Sequence, residues 1–354
     1  MNERVLPDIP GVLTGDELLR SAEHLSGLQT NDGMIPWFPG GHCDPWNHVE
    51  SAMALDVAGF HDEALAAYRW LVDTQLDNGA WHNYYTAAGG IEDPKLDTNV
   101  AAYIATGAWH HWLCTRSRAD AELLWPTVER ALVWVLAQRR DDGMMLWAVE
   151  ADGTRTWDYA LLTGSSSIAH ALTCGEQLGR VVGRRRPSWV RAALTIAGAI
   201  AERPQAFAPK ERFAMDWYYP VLTRALDTRD GKVRLTDGWS TFVMDGLGVR
   251  CVSDEPWVTA SETAEAAVAF ATIGDFDTAT DLLGWTRSHR LDDGSYVTGI
   301  VYPDGASADN GRDPIVFPFE EHTSYTAAAV ILAADAITGA SPAAHIFTAA
   351  EPLR

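Results

Sequence analysis

The feature that most constrains this chain is a step that recurs along it. A helical run ends in Gln or His, a short polar stretch follows, then Gly, then an aromatic. The instances are Gln29 to Gly33 before Trp37, Gln75 to Gly79 before Trp81, Gln138 to Gly143 before Trp147, and His289 to Gly294 before Tyr296. A recurring internal step marks a repeat architecture and is weighed before any single motif. Each Gly suits a left-handed cap at a helix C-terminus. The residues after it read as a short extended arm.

A second kind of helix starts after these arms, with a polar and aromatic first turn and a small apolar body. Asp44-Pro-Trp-Asn-His-Val-Glu50 opens one, Asp97-Thr-Asn99 another, and Trp157-Asp-Tyr159 a third. Met215-Asp-Trp-Tyr-Tyr219, Glu255-Pro-Trp257 with Ser261-Glu262, and Glu320-Glu-His-Thr-Ser-Tyr325 open the rest. Six other helices, near residues 14–29, 61–76, 119–138, 187–203, 231–245 and 276–290, carry apolar positions at helical spacing. The weakest is the one around Leu235 to Val243, which Asp237-Gly238 can break. Helices that are small and apolar all round must be buried on every side. Strict alternation of the two kinds therefore predicts an all-α chain: an (α/α)6 toroid, six inner and six outer helices, as one domain over residues 1–354.

Charge and composition exclude several functions. Asp and Glu outnumber Lys and Arg 48 to 27, giving a net charge of −21. No basic stripe is present to displace counterions, which argues against nucleic acid and against an anionic membrane surface. No stretch reaches the length of a membrane span. Cys43, Cys114, Cys174 and Cys251 are widely spaced and read as free buried thiols, as in a reducing compartment such as the cytoplasm. The chain has no phosphate-binding Gly-rich loop and no H-E-x-x-H. His42-Cys-Asp44 has no distant partner to complete a metal site. Neither a cofactor nor a metal is expected, and the oligomeric state is left open.

In a toroid the inner helices all start at one end, so their first turns converge. That collects Trp46, His48, Glu50, Asp97, Asn99, Asp158, Tyr159, Asp216, Trp217, Tyr218, Trp257, Glu262, Glu321, His322 and Tyr325, with Trp81 and Tyr85 from the second arm. Acidic residues at helix starts are often only caps, and Asp44, Asp97 and Glu255 are open to that reading. Capping does not explain the aromatics beside them, some of the chain's 15 Trp. Aromatic faces stack on sugar rings, and carboxylates accept bonds from hydroxyls. The same faces can also stabilise carbocations. Glu50 and Glu262 sit about a turn inside their helices, where burial raises a carboxyl pKa unless a partner offsets it. Glu262 is the expected general acid, with Asp97 or Glu50 as base. In a six-fold ring the second and fifth inner helices face each other, so Asp97 lies across from Glu262. That spacing favours a water-sized gap and inversion.

The step from Gln75 to Trp81 resembles the QW repeat of squalene-cyclase and prenyltransferase toroids, and His322-Thr-Ser-Tyr-Thr loosely resembles a zinc-histidine segment of protein prenyltransferases. The D-x-D-D acid motif and the cysteine zinc partners of those families are missing, so an isoprenoid enzyme stays an alternative, as does a non-catalytic glycan-binding toroid. The segments Trp37 to Glu50, Lys95 to Asn99, Trp157 to Gly164 and Val252 to Glu262, spread over nearly the whole chain, carry a second resemblance. Through them the chain resembles the methylmannose polysaccharide hydrolases of mycobacteria. That resemblance implies an endo-acting α-(1→4)-mannosidase whose partner is a cytoplasmic, partly O-methylated oligo- or polysaccharide.

Overall fold

The structure is a computed structural model and describes residues 5–303 and 313–348. The helices are α1 Gly15–Leu28, α2 Pro45–Val57, α3 His61–Thr74, α4 Thr98–Ala102, α5 Ile104–Thr115, α6 Arg118–Ala137 and α7 Leu162–Val181. They continue with α8 Pro187–Glu202, α9 Ala214–Leu222, α10 Thr228–Phe242, α11 Ala260–Thr272, α12 Phe276–Trp285 and α13 Ser324–Thr338. The alternation predicted from the repeat is present. One expected inner helix is divided at Tyr103 into α4 and α5.

The small apolar helices pack in a circuit. Helix α2 packs on α5, α5 on α7, α7 on α9, α9 on α11, α11 on α13, and α13 on α2. Except in α9, their bodies are rich in small residues, which let backbones approach closely, and most residues of α2, α11 and α13 are buried. Each of the more amphipathic helices covers this circuit from outside: α1 on α2 and α13, α3 on α2 and α5, α6 on α5 and α7, α8 on α7, α10 on α9, α12 on α11 and α13. Helix α10 is not broken at Asp237-Gly238. Gly238 is there for contact, since a Cβ would stand 2.3 Å from the Trp217 indole nitrogen on α9.

The repeated glycines do a different job from the one predicted. They do not cap the helices; Gln29 and Gln75 end α1 and α3 with extended backbone. Gly33 lies in the turn that follows, at φ +98°, and a Cβ there would meet the Ala66 carbonyl oxygen of α3 at 2.3 Å. The Gln29 side chain locks the same turn, donating to Gly33 O at 3.0 Å and to Glu63 O at 2.9 Å. Gln75 repeats this on Gly79 O and on Thr127 O of α6. In the Gly294 turn, after α12, a Cβ would stand 2.6 Å from the Arg20 carbonyl of α1. Each step thus fastens one outer helix to the next, and the last fastens to the first.

The arms form small antiparallel sheets, a feature the all-helical expectation left out. Leu96–Asp97 pairs with Ala148–Val149, which pairs with Thr156–Trp157. Trp257–Thr259 sits in the middle of a five-stranded sheet between Gly248–Arg250 and Gly299–Val301. Asp97 and Thr259 are the last strand residues before α4 and α11, so each sheet fixes where an inner helix begins.

Candidate active site

Two inner helices start on an aspartate held in the same way. Asp44 Oδ1 accepts from the backbone amides of Trp46 and Asn47 at 2.9 and 3.0 Å, and its Oδ2 accepts from the Trp37 indole at 2.7 Å. Asp97 Oδ1 accepts from the amides of Asn99 and Val100 at 2.8 and 3.2 Å, and its Oδ2 takes the Trp147 indole proton. Both are caps, as one sequence reading had it, and both also line a cavity. Glu255 does neither: it is exposed, and Thr259 stands at the N-cap of α11.

That cavity, of about 420 Å³, is lined by Asp44, Glu50, Asp93, Asp97, Glu262 and Glu265 together with Trp37, Trp46, Tyr84, Trp147 and Tyr325. Among the described residues one cation lines it, Lys95, which lies 3.5 Å from Asp93 and 4.7 Å from the centre of the Trp147 ring. Carboxylates and ring faces therefore make up its chemistry.

Glu50 reaches the cavity from one turn inside α2. Its Oε1 accepts from the Trp46 indole at 2.8 Å and from the Tyr103 hydroxyl at 3.1 Å. Burial pushes its carboxyl up to about 7; the two hydrogen bonds pull the other way, and the charges of Asp44 and Glu262 push further up. Glu265, a turn beyond Glu262 on α11, accepts the Tyr218 hydroxyl. Burial and then the charge of Glu50 raise its carboxyl well above the ordinary range. Burial also raises Asp97, to about 6, against its two backbone bonds. Glu262 Oε2 accepts the hydroxyl of Thr259 and, at 2.7 Å, that of Ser261.

A second cavity of about 290 Å³ opens off the first, sharing Trp46, Asp97, Trp147 and Met215 with it and adding Asn99, Tyr159, Leu161, Gly164, Phe213 and Asp216. A third, of about 620 Å³, meets the second at Lys210 and Asp216. The three run on from one another as a groove across the starts of α2, α4, α7 and α9.

Eight of the residues expected at the site therefore line the first two cavities: Glu50, Asp97, Glu262, Trp46 and Tyr325 in the first, Asn99, Tyr159 and Asp216 in the second. The structure places the others outside those two cavities. His48 is buried, accepting from Ile35 N and bonded to Ala67 O, and so ties an arm to α3. Trp81 is buried with its indole on Leu71 O, and Tyr85 packs edge-on against Trp70. Asp158 faces solvent, paired with Arg140. Trp257 lies on the sheet, donating to Phe317 O at 2.9 Å. Trp217 stacks on Phe242 and borders only the third cavity, while Tyr218 lies beneath the floor and holds Glu265. Glu321 offers its backbone oxygen to Thr298, and His322 lies 3.5 Å from Ser295, away from the groove.

Trp37, Trp147 and Glu265 were missed. The first two are arm aromatics of the repeat. Their place in the site depends on indole bonds to Asp44 and Asp97 that only the folded chain reveals. All four cysteines are unpaired, Cys43 and Cys174 buried and the other two half-buried. Among the described residues no helix is long and apolar enough to cross a membrane.

A groove walled by carboxylates and rings, laid over convergent helix starts, is the equipment of a carbohydrate-processing enzyme, and the comparisons with known proteins agree. The chain belongs to a family of glycoside hydrolases, that of the methylmannose polysaccharide (MMP) endo-mannosidases. It is 43% identical over 342 residues, 97% of this chain and 92% of the other, to the MMP endo-(1,4)-3-O-methyl-α-D-mannosidase of Mycolicibacterium hassiacum. No protein-family model matches the chain. In fold it is similar to a solved wild-type glycosidase at a TM-score of 0.70 and 13% identity, covering 92% of this chain and 97% of that one. A D-mannose isomerase is similar at 0.65 and 10%, covering 90% and 96%, and an α-amylase of Clostridium perfringens at 0.64 and 10%, covering 90% and 97%.

Proposed function

We propose that this protein is an endo-acting (1→4)-3-O-methyl-α-D-mannosidase that hydrolyses methylmannose polysaccharide. The observation that carries the proposal is kinship with the Mycolicibacterium hassiacum enzyme over 97% of the chain. The helix circuit with one outer layer, closed at α13 and α2, supports reading residues 1–354 as one (α/α)6 toroid. An open groove of three joined cavities suits an enzyme that grips a polymer internally rather than by its end. The unpaired thiols fit a reducing compartment, and we place the reaction in the cytoplasm.

The catalytic set drawn from the sequence is Glu262, Asp97 and Glu50, with Glu262 as acid. Burial favours the reverse order for the two glutamates, since Glu50 is buried and Glu262 only half-buried. Glu50 is buried and holds its proton near neutrality, as a general acid must. Glu262, half-buried and held through Oε2 by two hydroxyl donors, stands as the acceptor that draws a proton from water. Glu50 protonates the glycosidic oxygen and the C1–O bond breaks. A water oxygen adds to C1 and its proton passes to Glu262, so that the net change is addition of water across the bond. Glu50 and Glu262 stand on inner helices separated by α13, which favours room for that water and hence inversion. Asp97, capping α4 and holding Trp147, sets the boundary between the first two cavities.

A diphosphate-handling isoprenoid enzyme needs cations where this cavity offers Lys95, already beside Asp93. A glycan-binding protein without activity would yield no product. The test is Glu262→Gln on methylmannose polysaccharide, with products read by mass. Turnover is expected to fall by about 10²- to 10⁴-fold with the melting temperature unchanged. Near-normal turnover in the folded variant overturns the role of Glu262, and no product from the unaltered protein overturns the function.

A further inference from the structure

The second cavity differs from the first in chemistry, and the difference has a reading in the substrate class proposed above, on which this inference rests. Its carboxylates are turned on neighbouring wall groups, and its one cation among the described residues, Lys210, stands at the edge it shares with the third cavity. Asp97 takes the Trp147 indole proton, and Asp216 Oδ1 takes the Thr163 hydroxyl at 2.6 Å and the Thr163 amide at 3.2 Å. The carbon wall left to the cavity comes from Leu161, Gly164, Phe213 and Met215, beside the rings of Trp147 and Tyr159, which lie 5.6 Å apart and 30° from parallel. One buried polar atom of its wall is not satisfied. Asn99 is 5% exposed and lines this cavity, and its side-chain oxygen has no hydrogen-bond partner among the described residues. Buried polar atoms are seldom left so, and one at a cavity wall points to a ligand donor.

A 3-O-methylmannosyl unit matches this pairing. It offers one small apolar group on the ring with a hydroxyl on the neighbouring carbon. We infer that the second cavity is the subsite that reads the methyl ether, with the O-methyl group against Leu161, Phe213 and Met215 and the adjacent hydroxyl donating to Asn99. An unmethylated sugar would bury its 3-hydroxyl against that carbon wall without a partner, which disfavours it. The cavity shares Asp97 and Trp46 with the catalytic one, so the unit it reads is next to the bond that is cut.

Leu161 and Phe213 are the N-cap residues of α7 and α9. Asn and Ser serve well at such positions, so the double variant Leu161→Asn, Phe213→Ser removes the apolar wall while keeping both helix starts. The readout is the ratio of kcat/KM on methylmannose polysaccharide to that on an unmethylated α-(1→4)-manno-oligosaccharide of matched length. The unaltered protein is expected to favour the methylated chain, and the ratio to fall by about tenfold in the double variant. A ratio within twofold of the unaltered protein's, in a variant that melts normally, overturns the inference alone. A variant that melts early is replaced by nuclear Overhauser contacts in the unaltered protein, between the O-methyl of methyl 3-O-methyl-α-D-mannoside and labelled Leu161 and Met215 methyls. Bound ligand without those contacts also overturns it. If the unaltered protein cuts neither chain, the proposed function falls and takes this subsite with it.

Discussion

Helix α2 carries two buried carboxyl groups with opposite fates. Glu50 and Asp56 are 6% and 2% exposed, six residues and about 9 Å apart along the axis. At Glu50, burial wins: two neutral donors, an indole and a phenol, do not offset it, and neighbouring carboxylates add to it. At Asp56, burial also raises the pKa, but hydrogen bonds from His110, His111 and His61 outweigh it and hold the carboxyl well below the usual range. His61 and His111 stand 2.9 and 3.0 Å from Asp56 Oδ1. Burial is nearly equal at the two ends; the partners differ. One end of α2 is built to keep a proton and line a cavity, and the other to keep a charge and tie α3 and α5 to the helix end.

Substitutions at the two ends should separate these roles. Glu50→Gln keeps an acceptor for Trp46 and Tyr103 but no acid. We expect turnover to fall by about 10²- to 10⁴-fold without loss of melting temperature. Asp56→Asn should do the opposite, costing about 3 to 5 kcal/mol in denaturant unfolding, because it strips a buried ionic cluster of one partner, while activity per folded molecule is kept.

The pH dependence of unfolding sharpens the contrast. Asp56 is depressed in the fold, so its contribution is present above the unfolded value near 4 and is lost as pH falls through the native one. Glu50 is raised to about 7, so its contribution is full below the unfolded value and lost as pH climbs from about 4.5 to 7. Denaturant melts should show Glu50→Gln flattening the second limb and leaving the first. A smaller change is expected for Trp46→Phe, which removes one donor to Glu50. The alkaline limb of the activity profile should move up by about half a unit to one unit, read from kcat/KM against pH. A downward move would mean that the indole does not favour the ionised form.

The sequence shows the fold more fully than it shows the site. The repeat shows the helix alternation because each step is local, although the glycines dock turns on neighbouring helices rather than cap their own. Glu50 and Glu262 are visible by their depth inside small-residue helices. Glu265 sits a turn deeper in a run of Ala and reads as part of an apolar body until Tyr218, 47 residues away, is seen to bond it. The same holds for Asp56 and His111, 55 residues apart, and for Asp97 and Trp147, 50 apart. Trp81, Tyr85 and Trp257 lie outside the three cavities for the converse reason. Aromatics next to acids in sequence can turn into the core or onto a sheet, and backbone carbonyls then take the indole protons of Trp81 and Trp257.

The most direct test is a carbon NMR titration of carboxyl-labelled Glu and Asp, with the two signals assigned through Glu50→Gln and Asp56→Asn. Glu50 is expected to remain protonated at pH 5.5 and to titrate near 7, while Asp56 is already ionised at pH 4. Finding Glu50 ionised at pH 5.5, or the two groups titrating together, would contradict that expectation.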